Sequence, residues 1–211
     1  NEKPTHALHR RGVRYVELRS LDIDMFHPLG IDESICRFLE TLMAFCLFQD
    51  SPGISDSERR EIDYNLDAVC YRGRKPGLEL QRNGKPVSLC GWAGELLDVM
   101  QGFAGALDAR QPGHAHGDAL RVQQAAVRDP DLTPSARILA GMRSHNEGHF
   151  HFAQRMSRRH QEDFMNLPPD PEGFAMIDDA VEKSIAAQHA IEAADNQSFD
   201  EFLADYFAQG L

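Results

Sequence analysis

GVRYVELRSLDID, from Gly12 to Asp24, is the stretch that decides the fold predicted for this chain. It is rich in β-branched, aromatic and apolar residues and contains no proline, which predicts a β-strand. Side chains alternate between the two faces of a strand, so Val16 and Leu18 lie on one face. Glu17 and Arg19 lie on the other face. The pattern therefore predicts a strand with one apolar face and one charged face.

The charged face places a carboxylate and a guanidinium two residues apart, which is roughly 6.6–7 Å along a strand. We expect this separation to be too long for a tight hydrogen-bonded pair and suited to two groups that hold a third between them. The Glu17 carboxylate is a hard oxygen ligand of the kind that Mg²⁺ prefers, and the Arg19 guanidinium can bind phosphate or carboxylate through two hydrogen bonds. From the pattern alone, a solvated charge pair on an exposed sheet face is the commoner explanation.

Three segments in order resemble segments of one enzyme family. Tyr15–Glu33 (YVELRSLDIDMFHPLGIDE) resembles a signature of bacterial glutamate–cysteine ligase, and its E-x-R core is similar to a strand of the glutamine synthetase superfamily. Gly73–Gly77 (GRKPG) and Asp129–Leu139 (DPDLTPSARIL) are similar to later segments of the same ligase. The chain departs from the family pattern at Met25, where Asn is frequent, and at Pro134, where Phe is common. Neither departure removes a charged group.

The resemblance implies an ATP-dependent ligase that joins the γ-carboxylate of L-glutamate to the amine of L-cysteine through an acyl phosphate. ATP and Mg²⁺ are the cofactors that it implies. Glu17 would then be a Mg²⁺ ligand, and Arg19 would be the catalytic residue that holds the transferring phosphoryl group. Such chemistry needs cations to screen the phosphate charges.

A second pair of cations follows the second predicted helix. Arg74 and Lys75 project from a short turn whose shape Pro76 and Gly77 fix. Within the family resemblance they are candidates for binding phosphate or a substrate carboxylate. The alternative is that they only complement the dipole at the carboxyl end of the preceding helix.

Composition excludes several classes of function. The chain has 211 residues, 22 Lys and Arg, 33 Asp and Glu, and a formal net charge of −11, which disfavours binding to nucleic acid. Its most apolar run is shorter than the roughly 20 residues that span a bilayer, so we expect no membrane partner. The four cysteines show no zinc-binding spacing and predict reduced thiols in the core of a cytoplasmic protein. They are Cys36, Cys46, Cys70 and Cys90.

The chain begins with Asn and its family match begins far into the ligase sequence, so we expect the C-terminal portion of a larger enzyme. Its first partner would then be the N-terminal portion of the same enzyme, because one carboxylate cannot hold all the metal that the reaction needs. Two alternatives stay open. The acceptor amine could differ from cysteine, or the chain could be a helical interaction domain without catalytic activity.

The predicted fold class is α+β with helix dominant. One long strand, contributing to an antiparallel catalytic sheet, and a β-hairpin near 78–89 are surrounded by seven or eight helices. Residues 1–30 are predicted to form the C-terminal strand of that sheet with its turn, and 31–211 to form a helical buttress of the same larger catalytic domain. Residues 1–11 show no apolar period and are predicted to be a lead-in.

Histidines suggest a metal site that we consider unsupported. His145 and His149 lie four residues apart, which on a helix could present two ligands on one face. Gly148 weakens that helix, and the sequence offers no third ligand with matching spacing nearby. His114 and His116 lie in a loop rich in Gly and Pro, and we expect them to be solvated.

Overall fold

A computed structural model gives the structure of the chain and describes residues 2–19 and 21–209. Within these residues nine α-helices, one 3₁₀ turn and two strands follow one another. In chain order they are α1 (Pro4–Arg11), α2 (Glu33–Phe48), α3 (Asp56–Arg72), β1 (Glu79–Arg82), β2 (Lys85–Ser88), α4 (Leu89–Asp108), α5 (Ala115–Arg128), the 3₁₀ turn Pro130–Leu132, α6 (Pro134–Ser144), α7 (His149–Met165), α8 (Pro171–Ala194) and α9 (Phe199–Ala208).

The described residues divide into two compact units. One unit contains the residues up to Leu21 and those from Asn166 onward, that is α1, the segment that follows it, α8 and α9. The other unit, Asp22–Met165, contains α2 to α7 and the β-hairpin. The boundary predicted from sequence, 1–30 against 31–211, stays a prediction.

The first core of the larger unit lies between α2, α4 and α5. Its buried members are Leu97, Met100, Ala104 and Leu120, and Phe38, Leu42, Phe45 and Val127 pack against them. Asp32 caps α2 by accepting a hydrogen bond of 2.7 Å from the Ile35 amide. The apolar stripe of α2 is therefore partly buried by the α4–α5 pair. The prediction that the four cysteines lie in the core is wrong, because all four are exposed.

The predicted hairpin is confirmed, and α3 supports it. Asn83 and Gly84 both have positive φ, 55° and 73°, as a type I′ turn requires. The carboxylate of Glu61 on α3 accepts hydrogen bonds from both of their amides. Asn65, one turn further along α3, bonds the amide and the carbonyl of Gln81 at 2.7 and 2.8 Å. These contacts fix the hairpin on the helix and bring its return strand to the start of α4.

The segment after Thr133 forms two helices, and Gly148, expected to weaken a helix through His145 and His149, lies in the break between them. α6 ends at Ser144 and α7 begins at His149. Phe152 on α7 is 1% exposed, and its ring packs edge-on against Phe26 at 5.9 Å between centroids.

The strand predicted at 12–24 has no paired strand among the described residues and stays a prediction, whereas the lead-in predicted at 1–11 is wrong. Within the described residues the only sheet pairs β1 with β2, and 12–19 and 21–24 have no regular secondary structure; Ser20 of the predicted strand lies outside the described residues. A strand needs a hydrogen-bonded neighbour, and this segment finds none there. Residues 4–11 form a helix instead of a lead-in, because Pro4 starts it and three basic residues occupy its last turn.

The fold class α+β with helix dominant is confirmed. No helix in the part of the chain that the structure describes has the length and hydropathy needed to cross a bilayer.

Candidate functional site

Glu17 and Arg19 are brought together by the segment that follows α1. Nη2 of Arg19 donates a hydrogen bond of 2.8 Å to Oε2 of Glu17. The expectation that their spacing is too long for a tight pair is wrong, because the two side chains are long enough to meet. The Arg19 side chain is 79% exposed and the Glu17 side chain is 57% exposed. An exposed ion pair of this kind stabilises a protein by only about 0–1 kcal/mol, so an incoming ligand can separate it at little cost.

The residues around this pair are also exposed. The apolar side chains of the segment lie in solvent, with Val13 73%, Val16 61% and Leu18 46% exposed. A buried apolar side chain normally contacts six or more other residues, and these exposed side chains are not packed in that way. The segment thus presents a charged pair and an uncovered apolar row.

Arg74 and Lys75 project from a turn that the sequence places after α3. The Lys75 amide bonds the carbonyl of Arg72 at 2.7 Å, and Gly77 takes a positive φ of 69°. Nη2 of Arg74 binds Oδ1 of Asp131 at 3.1 Å. The turn lines a groove of about 440 Å³ together with Asp129 and Asp131. Two carboxylates therefore oppose the two cations, and the groove carries charges of both signs.

The structure does not bring the four predicted site residues together in one unit. Glu17 and Arg19 lie in the unit formed by the chain ends, whereas Arg74 and Lys75 lie in the unit Asp22–Met165.

The histidine-rich segment between α6 and α7 is used for local packing. Nδ1 of His145 lies 2.9 Å from Oγ of Ser144 and 3.0 Å from the carbonyl oxygen of Gly141. Glu147 binds the guanidinium of Arg155 through both of its oxygens, and this hydrogen bonding lowers the pKa of Glu147. Among the described residues no group of three His, Cys, Asp or Glu side chains could hold a metal ion.

Sequence reasoning missed His116. Predicted to be solvated in a loop, it is 1% exposed and lies in the first turn of α5. Its Nε2 lies 2.8 Å from Oε2 of Glu40, and its Nδ1 lies 2.8 Å from Oδ1 of Asp108. The one available signal was Glu40, a carboxylate that interrupts the apolar run of α2.

Comparison with known proteins places the whole chain beside one family. The family model for glutamate–cysteine ligase matches residues 1–69. The glutamate–cysteine ligase of Azotobacter vinelandii is 44% identical over 207 residues, which are 98% of this chain and 39% of the relative. That of Pseudomonas entomophila is 42% identical over 210 residues, which are 100% of this chain and 40% of the relative.

A solved structure has the same fold. The crystal structure of glutamate–cysteine ligase from Francisella tularensis in complex with AMP is 33% identical, with a TM-score of 0.86. The similarity covers 98% of this chain and 40% of that one. The chain thus spans about 40% of the length of the relatives that it matches.

Proposed function

Because this chain belongs to the glutamate–cysteine ligase family, we propose that it is one portion of an enzyme that makes γ-glutamylcysteine. The main support is the identity of 42–44% across 98–100% of the chain, which leaves no segment without a counterpart in these relatives. We further propose that this portion is catalytically incomplete by itself, since it spans only about 40% of their length.

The proposed reaction has two steps. The γ-carboxylate of L-glutamate attacks the terminal phosphorus of ATP, giving an acyl phosphate and ADP. The amine of L-cysteine then attacks the acyl carbon, phosphate leaves, and the amine loses a proton. The Francisella tularensis ligase crystallised in complex with AMP, which supports binding of an adenine nucleotide by this family.

We assign Arg19 to the transferring phosphoryl group. Its planar guanidinium can donate two parallel hydrogen bonds to phosphate oxygens and keeps its charge at any physiological pH. The bond to Glu17 holds it on the same side of the backbone as that carboxylate. When phosphate arrives, Arg19 exchanges an exposed carboxylate partner for a more highly charged one.

We assign Glu17 to a Mg²⁺ ion. Mg²⁺ in nucleotide sites keeps several waters and uses one or two protein carboxylates, so a single exposed carboxylate fits as one of its ligands. When bound, the ion neutralises charge on the phosphates. The other ligands would come from the remaining portion of the enzyme.

The exposed segment 12–19 also supports a site that is shared with the remaining portion of the enzyme. Residues 12–19 have no paired strand among the described residues, and their apolar side chains are exposed. We propose that the remaining portion of the ligase, the N-terminal portion, pairs with this segment and completes the antiparallel sheet predicted from the sequence.

For Arg74 and Lys75 we propose a substrate carboxylate rather than phosphate. The groove also contains Asp129 and Asp131, which would repel a phosphate dianion. The same two carboxylates suit the ammonium group of an amino acid whose carboxylate meets the cations.

A chimera tests the proposal. The chain replaces its matching portion in the Azotobacter vinelandii ligase, and ADP release is measured with L-glutamate and ATP, with and without L-cysteine. We expect ADP release that depends on cysteine and γ-glutamylcysteine as the product, while the 211-residue chain alone releases none.

Other amines in place of cysteine test the acceptor. A chimera that melts cooperatively but prefers another amine would make this a ligase with a different acceptor. A folded chimera with no turnover beside an active parent enzyme would contradict the catalytic assignment and favour a helical interaction domain.

A further inference from the structure

The imidazole ring of His116 is enclosed between three helices of the larger unit. Glu40 of α2 lies 2.8 Å from Nε2, and Asp108, the last residue of α4, lies 2.8 Å from Nδ1. A neutral imidazole has one N–H and can donate to only one of two carboxylates, whereas an imidazolium donates to both. The geometry therefore selects the protonated ring.

Asp108 is held by more than the ring. Its side chain is 9% exposed and also accepts hydrogen bonds from the amides of His116 and Gly117, at 3.0 and 2.9 Å. Burial alone would raise the pKa of Asp108, but these backbone and side-chain donors bring it down to about 2. Asp108 thus stays ionised and fixed at the start of α5.

Glu40 is held less firmly. Its side chain is 52% exposed, and its second cationic neighbour is Arg37 on the same helix, at 3.4 Å. The hydrogen bond from His116 lowers the pKa of Glu40, although burial opposes it. Of the two carboxylates, Glu40 is the one that can turn toward water.

Few other polar groups face the ring. Nε2 of the Gln111 amide lies 3.1 Å from Nδ1, and a 180° turn of that amide presents its oxygen to a protonated ring. On α5, Arg121 is paired with Asp118. Burial would lower the pKa of His116, but the hydrogen bonds to Glu40 and Asp108 outweigh it and raise the pKa above the ordinary 6.5.

We infer that His116 is a proton-dependent clamp that fastens α2 to the α4–α5 pair. When the ring loses its proton it keeps one hydrogen bond, to the fixed Asp108, and presents a lone pair to Glu40. Glu40 then turns to solvent, and α2 loses the hydrogen bond that joins it to His116 and the α4–α5 pair. Phe38 and Leu42 of α2 line an apolar cavity of about 400 Å³ with residues of α4 and α5, so loosening α2 opens this cavity.

The direction with pH follows from the raised pKa. The stabilisation is fully present below pH 6.5 and is lost as the pH rises through the folded-state pKa. Between pH 6.5 and the folded-state pKa of His116, the equilibrium constant for opening of α2 should rise about tenfold per pH unit.

The test uses the 211-residue chain with ¹³C- and ¹⁵N-labelled histidine, followed by NMR from about pH 5 to 9, and amide exchange of α2 over the same range. Exchange of α7, in the same unit, serves as the reference for base catalysis of exchange. We expect the His116 ring to titrate above 6.5 and α2 to lose protection relative to α7 through that titration.

Glu40→Gln keeps the shape of an exposed side chain and removes its charge, so folding does not depend on replacing the buried ring. In this variant the midpoint of His116 should fall and the pH-dependent loss of α2 protection should shrink. His114→Gln, at an exposed position that makes no capping hydrogen bond, is the matched control and should change neither.

Three results would overturn the inference. They are a His116 midpoint at or below 6.5, the same midpoint in Glu40→Gln as in the parent chain, and protection of α2 that follows α7 at every pH.

Discussion

Arg19 donates a hydrogen bond of 2.8 Å to Glu17 although neither side chain is buried. The pair is assembled by two residues of one short segment and needs no other part of the described chain. Its weak stabilising effect and its exposure are the properties expected of groups that exchange partners when a ligand binds.

Arg19→Lys in the chimera should lower kcat by about 100-fold, the size of effect seen when one donor to a developing charge is removed. Lysine keeps the charge but cannot supply the planar fork. Steady-state ADP release at saturating substrates measures this, and the melting temperature should be unchanged.

Arg14→Lys is the matched control, since Arg14 is exposed on the same segment. It should keep parental turnover. If ADP release by Arg19→Lys and Arg14→Lys were equal and near the parental rate, Arg19 would be an ordinary surface charge with no role in catalysis.

Asp108→Asn should destabilise the 211-residue chain by about 2 kcal/mol near pH 5, from the pKa of about 2 against the ordinary 3.8. Because folding lowers the pKa of Asp108, its carboxylate stabilises the folded state at pH values above the ordinary pKa of 3.8. This stabilisation is lost as the pH falls through the folded-state pKa of about 2. Urea unfolding at about pH 5 and about pH 2.5 should therefore show a difference that shrinks in acid.

Asp67→Asn, at an exposed position of α3, is the control and should change stability at neither pH. A difference between Asp108→Asn and the parent chain that is as large at about pH 2.5 as at about pH 5 would show that Asp108 acts by packing alone.

Gly141→Ala should destabilise by about 1–3 kcal/mol, because the new methyl group would lie 2.7 Å from Cε2 of the buried Phe152 ring. Gly102→Ala provides the contrast within α4, where a methyl group meets nothing within 4 Å. It should stabilise by about 0.5–1 kcal/mol. Thermal unfolding of both variants measures these changes. A destabilised Gly102→Ala variant beside a Gly141→Ala variant of parental stability would contradict the packing assigned to Gly141.

Replacing His145 and His149 together by Ala should change stability by less than about 0.5 kcal/mol, as expected for exposed positions. Melting temperatures with and without added Zn²⁺ measure it. A large loss that Zn²⁺ prevents in the parent chain would reveal a metal site.

Local signals in the sequence predicted most of the helices and the hairpin. Asp32 and Ser55 cap helices through their own side chains, and Asn83-Gly84 needs only its own backbone preferences to turn. Such features depend on residues a few positions apart, which a sequence shows directly.

Other features depend on residues that are distant in sequence or absent from the chain. The strand predicted at 12–24 needs a neighbour, and no local preference supplies one. The burial of His116 depends on Glu40, 76 residues away, which no spacing rule connects to it. Glu17 and Arg19 became candidates because a strand-like alternation and a family resemblance fell on the same residues.

The most direct test of the account is the Mg²⁺ dependence of the chimera with Glu17→Gln. Glutamine keeps the shape of the side chain and removes the charge that holds a hard cation. We predict that the Mg²⁺ concentration for half-maximal ADP release rises by roughly tenfold or more and that kcat falls, while the melting temperature stays that of the parent chimera. An unchanged Mg²⁺ requirement with parental kcat would contradict the assignment of Glu17 to the metal and, with it, the site proposed for this chain.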